Sequence, residues 1–168
     1  MAEGIKESLA ILDEAIELEE KGRAFYEKAA DWVEDPSVKE TFRFLAREET
    51  KHRKAIQRQY KALTEEGRWS PDSDLEPASA SFDIEEPIFP DAQKAIEEKF
   101  GPRTGEQEAI WFAIEVEQKA YELYQRGARK ASDPLAKEIF QHLAQAERMH
   151  FELLMANAEV LSGFQGWA

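Results

Sequence analysis

Residues 15–69 align without a gap on residues 113–167, and 18 of the 55 positions are identical. Unrelated sequences of ordinary composition would share roughly 4. "AIELEEKGRAFYEKAADWVEDPSVKETFRFLAREETKH" lies over "AIEVEQKAYELYQRGARKASDPLAKEIFQHLAQAERMH". A duplication of this length restricts the chain severely. Whatever the first segment folds into, the second must also form, and the two must bury their apolar faces against each other.

Each copy carries helical periodicity. In the first, Ile5, Leu9, Leu12, Ile16, Glu19, Arg23, Tyr26, Ala30 and Val33 recur at spacings of four and three, an apolar stripe with polar intruders. The second shows Ile110, Ile114, Glu117, Tyr121, Tyr124 and Ala128, introduced by Thr104 and Gln107 in capping-box spacing. Asp35-Pro36 and Asp133-Pro134 punctuate both copies at the same place. There Asp can cap the next helix while Pro takes its first position, where the missing N–H costs nothing. The second stripes run Val38, Phe42, Leu45, Glu49, His52, Ile56, and Phe140, Leu143, Glu147, His150, Leu154, Leu161. Two helical hairpins are therefore expected, over 4–63 and 104–162, in one domain spanning 1–168 with a tail at 163–168.

Residues 64–103 connect them and hold most of the prolines. An extended or irregular path is expected there, with a short amphipathic helix over 91–101 capped by Asp91 and ended by Gly101. So long a connection suits a crossover that runs the length of a bundle and joins two parallel helices. Trp69 and Trp167, at equivalent places, are expected to plug the bundle ends.

Six polar residues interrupt the stripes at repeat-related positions: Glu19, Glu49 and His52, then Glu117, Glu147 and His150. Glu19 lies sixteen residues before Asp35 and Glu49 fourteen after it. At about 1.5 Å per residue they sit about 24 and 21 Å from the same turn, level to within one helical turn. The i, i+3 spacing of Glu49 and His52, and of Glu147 and His150, puts each pair on one face. Glutamate is common in this chain, so a single Glu-x-x-His means little. Here two of the three histidines carry it, on the apolar stripe, matched by a stripe Glu at the same height. Four buried carboxylates would repel one another strongly. Two divalent cations would balance them, and carboxylates with one imidazole per ion suit iron or manganese, with zinc as a substitute. Two alternatives stay open at this level: a polar layer that fixes bundle register, and neutralisation by Arg23, one turn from Glu19. Among the neighbours, Glu17, Glu20 and Glu115 are expected on the wet flank. Glu48 could replace Glu49 if the helix is rotated, and His142, off the stripe, is expected at the boundary or surface.

The arrangement of one Glu on each of two helices, with Glu-x-x-His on the other two, resembles the ferritin-like, rubrerythrin-type dinuclear iron carboxylate proteins. The resemblance covers the two hairpins. It implies an all-α, ferritin-like four-helix bundle in which Glu19, Glu49, His52, Glu117, Glu147 and His150 bind two iron ions that react with hydrogen peroxide or dioxygen. It also implies that Tyr26 and Tyr124, two turns beyond the helix glutamates, hydrogen-bond to ligand carboxylates in support of catalysis; the alternative is a plain core role. Two departures stand out. Full rubrerythrins carry a four-cysteine rubredoxin, and this chain has no cysteine, so the electron donor is expected to be external. A further family glutamate one turn along the third helix is replaced by Ala120, which leaves a six-ligand site.

Composition narrows the partners. The net charge of −13 would repel phosphate backbones and anionic lipid, so neither nucleic acid nor membrane is expected as a partner. The N-terminal segment shows neither a basic start nor an apolar run, and the expected location is cytoplasmic. A homodimer or larger homo-oligomer is expected. The leading expectation is a di-iron oxidoreductase acting on peroxide or dioxygen. Iron storage or transfer by a ferritin-like assembly, and a metal-free structural bundle, are the competing readings.

Overall fold

The computed structural model describes residues 3–71 and 105–161, with side chains described over 4–71 and 105–159. Four helices make up the fold: α1 (Glu3–Trp32), α2 (Pro36–Glu66), α3 (Gly105–Lys130) and α4 (Pro134–Leu161). No strand occurs among the described residues. The expected helix at 91–101, the Thr104 half of the capping box, the crossover beyond residue 71 and Trp167 lie outside the described residues.

Both turns form as their sequences require. Asp35 adopts an extended backbone and its Oδ1 accepts from the N–H groups of Ser37 at 2.9 Å and Val38 at 3.1 Å, with Pro36 opening α2. Asp133 does the same for α4, accepting from Leu135 at 2.8 Å and Ala136 at 3.4 Å. Each cap satisfies donors that the first helical turn would otherwise leave unpaired. The far end of α2 runs three residues past the expected boundary at 63. It stops at Gly67, whose φ of 70° suits glycine and whose N–H donates to the Leu63 carbonyl at 3.1 Å.

Within each hairpin the helices pack along their lengths, α1 on α2 and α3 on α4. The hairpins meet through α1 against α3 and α2 against α4. Leu12, Phe42, Leu45, Ile114, Phe140 and Leu143 fill the centre and are fully buried. Each contributes roughly 1.5–3 kcal/mol by leaving water. The stripes of α2, α3 and α4 face inward as the periodicity predicts, except that the side chain of Leu161 lies outside the described ones. On α1 the inward line runs through Leu12, Ala15, Glu19, Gly22 and Tyr26, so Gly22 rather than Arg23, and Ala15 rather than Ile16, points to the core. Arg23 turns to the flank, where its guanidinium bonds Glu20 and Glu27. It therefore does not neutralise Glu19, and that alternative is removed.

Trp69 behaves as expected of a plug. Its ring is buried edge-on against Phe140 at 5.5 Å, and Gln59 ties the following residue down through two bonds with the Ser70 backbone, 2.6 and 2.9 Å long. Phe140 thus packs against Trp69 and also against the bare backbone of Gly127, where an added Cβ would lie 2.8 Å from the ring. Gly127→Ala is expected to destabilise the fold by about 1–3 kcal/mol, because this clash outweighs the gain of about 1 kcal/mol from better helix propensity. Equilibrium denaturation checks it: an unchanged midpoint would mean that the Phe140 ring has room to retreat.

Candidate metal centre

The four helices bring all six stripe intruders together at mid-bundle. Glu19 comes from α1, Glu49 and His52 from α2, Glu117 from α3, Glu147 and His150 from α4, and none is more than 5% exposed. They form two overlapping donor groups. One contains Glu19, Glu49, His52 and Glu147, the other Glu49, Glu117, Glu147 and His150, and within each the ligand-capable atoms lie within 4.8 Å of one another. Glu49 and Glu147 belong to both.

Distances give the arrangement its sense. The Nδ1 of His52 lies 3.6 Å from Glu19 Oε2 and 3.4 Å from Glu147 Oε1. The Nδ1 of His150 lies 3.4 Å from Glu117 Oε2, 3.3 Å from Glu147 Oε2 and 3.6 Å from Glu49 Oε1. Glu147 therefore turns one oxygen to each histidine and spans the two halves of the site. The imidazole rings are stacked, their centroids 5.7 Å apart.

Two tyrosines fix the outer glutamates, each across the hairpin boundary. Tyr26 of the first hairpin donates to Glu117 Oε1 of the second at 2.5 Å, and Tyr124 of the second donates to Glu19 Oε1 of the first. In both carboxylates the second oxygen is left facing the centre. Burial pushes both phenols well above their ordinary range, reinforced by the charge of Glu117 on Tyr26 and of Glu19 on Tyr124. The hydroxyls accordingly remain donors.

The carboxyls divide into two kinds. Burial pushes Glu49 and Glu147 well above the usual range, and the charges of Glu19 on Glu49 and Glu117 on Glu147 push the same way. Burial also acts upward on Glu19, but the hydrogen bond with Glu49 and the charge of His52 outweigh it and lower the group to about 2. Glu117 is likewise lowered: burial raises it, and the charge of the facing His150 prevails. For the histidines burial disfavours the cation, yet the facing carboxylates win, Glu19 raising His52 and Glu117 raising His150 well above its normal value. Without metal, the shared Glu49 and Glu147 thus hold their protons to higher pH than free carboxyls, while Glu19 and Glu117 are shifted toward the carboxylate and His52 and His150 toward the imidazolium.

That balance does not satisfy every atom. Glu19 Oε2, Glu49 Oε1, His52 Nδ1 and both oxygens of Glu147 are buried without a hydrogen-bond partner. An orphaned buried polar group costs about 1–3 kcal/mol, and a polar layer built only to set register would pair these atoms with one another. They instead surround a common centre with hard oxygen and imidazole donors, which fits a dinuclear metal site.

The neighbours fall outside. Glu48 is partly exposed and sits 3.5 Å from Lys51, so α2 is not rotated to present it. His142 lies at the boundary, 3.7 Å from Glu138. Glu17 pairs with Lys21 on the surface, Glu20 joins Arg23 and Arg53, and Glu115 is exposed. The stripe missed Gly22, buried beside Glu49, and Phe44, whose ring lies edge-on to His150 with centroids 6.4 Å apart. The signal for Gly22 was a glycine in mid-helix, one turn from Glu19.

A family model described as Rubrerythrin matches residues 10–158. No curated protein and no solved structure matches the chain. Among the described residues, no helix is long and apolar enough to cross a membrane.

Proposed function

The chain belongs to the rubrerythrin family, and we propose that it is a di-iron oxidoreductase that reduces hydrogen peroxide or dioxygen with electrons from an external donor. The observation that carries this is the set of unpartnered Glu and His atoms converging from both hairpins on one buried centre. Glu19 and His52 would hold one ion, Glu117 and His150 the other, and Glu49 and Glu147 would be shared. Two bound ferrous ions would supply one electron each, the two electrons that, with two protons, convert hydrogen peroxide into two waters.

The protein's own contribution is to position and to exclude. Tyr26 and Tyr124 pin one oxygen of Glu117 and of Glu19, so that each glutamate presents its other oxygen in a fixed direction. Leu12, Leu45, Ile114 and Leu143 close the surrounding core and keep bulk water from the donor atoms. Glu49 and Glu147, which hold their protons to higher pH than free carboxyls, would give them up as cations arrive, so that negative charge enters the interior together with its counter-charge.

Anaerobic titration with ferrous iron tests this directly. Two ions per chain are expected, followed by development of oxo-bridged ferric absorption on addition of peroxide, at one peroxide per two ferrous ions. A chain that binds no iron, or whose bound ferrous iron survives both peroxide and dioxygen, would overturn the assignment. Size in solution separates turnover from storage, since storage needs an assembly that encloses a cavity.

A further inference from the structure

Gly22 is a glycine that its backbone does not require. It lies within α1, and among the described residues only Gly67 has a positive φ. A glycine inside a helix lowers helix stability relative to alanine, so its presence calls for a reason in packing. The neighbour across the helix interface supplies it: a Cβ at residue 22 would stand 3.2 Å from Glu49 Oε2, 3.4 Å from its Cδ and 3.6 Å from its Cγ. The missing methyl is filled by the carboxylate of a shared glutamate.

The duplication makes this informative. Position 120 corresponds to position 22 across the repeat, and there α3 carries the buried Ala120. The two shared carboxylates are thus treated differently in a centre that is otherwise close to twofold. Glu147 turns one oxygen to each histidine. Glu49 turns Oε1 toward His150 at 3.6 Å while Oε2 rests in the notch of Gly22.

We infer that Gly22 is a positioning residue: its notch is a parking place for the Glu49 carboxylate, making Glu49 the swinging member of the shared pair and Glu147 the fixed one. Resting on the two-metal reading above, this places metal exchange and the opening of a reactive position on the α1/α2 side of the centre. Glu49 can withdraw into the notch without leaving the site, and withdrawal frees space beside His52 and Glu19. A methyl at residue 22 removes the withdrawn position and leaves the forward one.

The test uses cobalt(II) as the probe ion, in the whole chain under anaerobic conditions, with Gly22→Ala, Ala120→Gly and the double exchange. Loading rate, release rate to an excess of chelator, and the visible cobalt spectrum are followed, with thermal unfolding of the metal-free forms alongside. Gly22→Ala is expected to bind two ions yet to load and release them about tenfold more slowly, the change produced by a modest rise in barrier. Its metal-free melting temperature should hold or rise by about 3 °C, as helix propensity recovers, which separates the effect from a folding defect. In the double exchange the notch moves to the repeat-related position on α3, and exchange rates are expected to return toward those of the parent. Parental rates and spectrum in Gly22→Ala, or no rescue in the double exchange, would overturn the inference. Failure of the parent chain itself to bind two ions would instead overturn the two-metal reading.

Discussion

Glu147→Ala is expected to reduce binding from two metal ions per chain to at most one weakly held ion. Its two oxygens lie 3.4 and 3.3 Å from the Nδ1 atoms of His52 and His150, so a single truncation removes a donor from both halves. Loss of one outer-shell partner typically weakens a site about 10-fold to 100-fold, and loss of a ligand shared by both ions must exceed that. The fold itself should survive. Glu147 is a buried group with both oxygens unpartnered, and its removal relieves crowding among carboxylates even as it leaves a cavity. Metal content by elemental analysis, beside the melting temperature of the metal-free form, checks both halves of the claim. Two tightly bound ions in Glu147→Ala would remove Glu147 from the site; a collapsed melting temperature would mark it as structural.

The second large effect is in pH. Glu49, Glu147, His52 and His150 all hold their protons to higher pH in the folded chain than their ordinary values of 4.5 and 6.5. The folded metal-free protein therefore binds more protons than the unfolded chain over this range. Stability from these groups is complete below 4.5 for the glutamates and below 6.5 for the histidines, and it is lost as pH rises through the folded values. Glu19 and Glu117 act with the opposite sign. Their stabilisation is present above 4.5 and is lost as pH falls, for Glu19 down to about 2. The metal-free protein should accordingly be most stable in mildly acidic solution and weaken toward alkaline pH. Metal binding displaces the same protons, so apparent affinity should strengthen with pH, about tenfold per pH unit for each proton displaced. Calorimetric titrations in buffers of different ionisation heat measure the protons released. Binding without proton release, or a metal-free form that grows more stable from pH 6 to 9, would contradict the proposed charge balance.

Much of this was legible from the residues alone. The duplication fixed two like hairpins, the Asp-Pro pairs fixed their turns, and the stripes named all six convergent side chains. Local rules suffice there, because cap geometry and a period of 3.6 are properties of a single helix. The same rules were less accurate where the line of contact bends. At 3.6 residues per turn, adjacent candidates such as Gly22 and Arg23 straddle the inward direction. Only packing against α2 decided that Gly22 faces Glu49 while Arg23 joins the surface network.

What the sequence determined by itself is the number of hairpins, the chemistry of the buried layer and the height at which it lies. Tertiary structure alone decided how the two copies interlock: that Tyr26 serves Glu117 and Tyr124 serves Glu19, 91 and 105 residues apart, and that Glu147 spans both histidines. Periodicity gives each side chain a direction relative to its own helix. It carries no information about which partner, among several glutamates at one height, a neighbouring helix will bring within bonding distance.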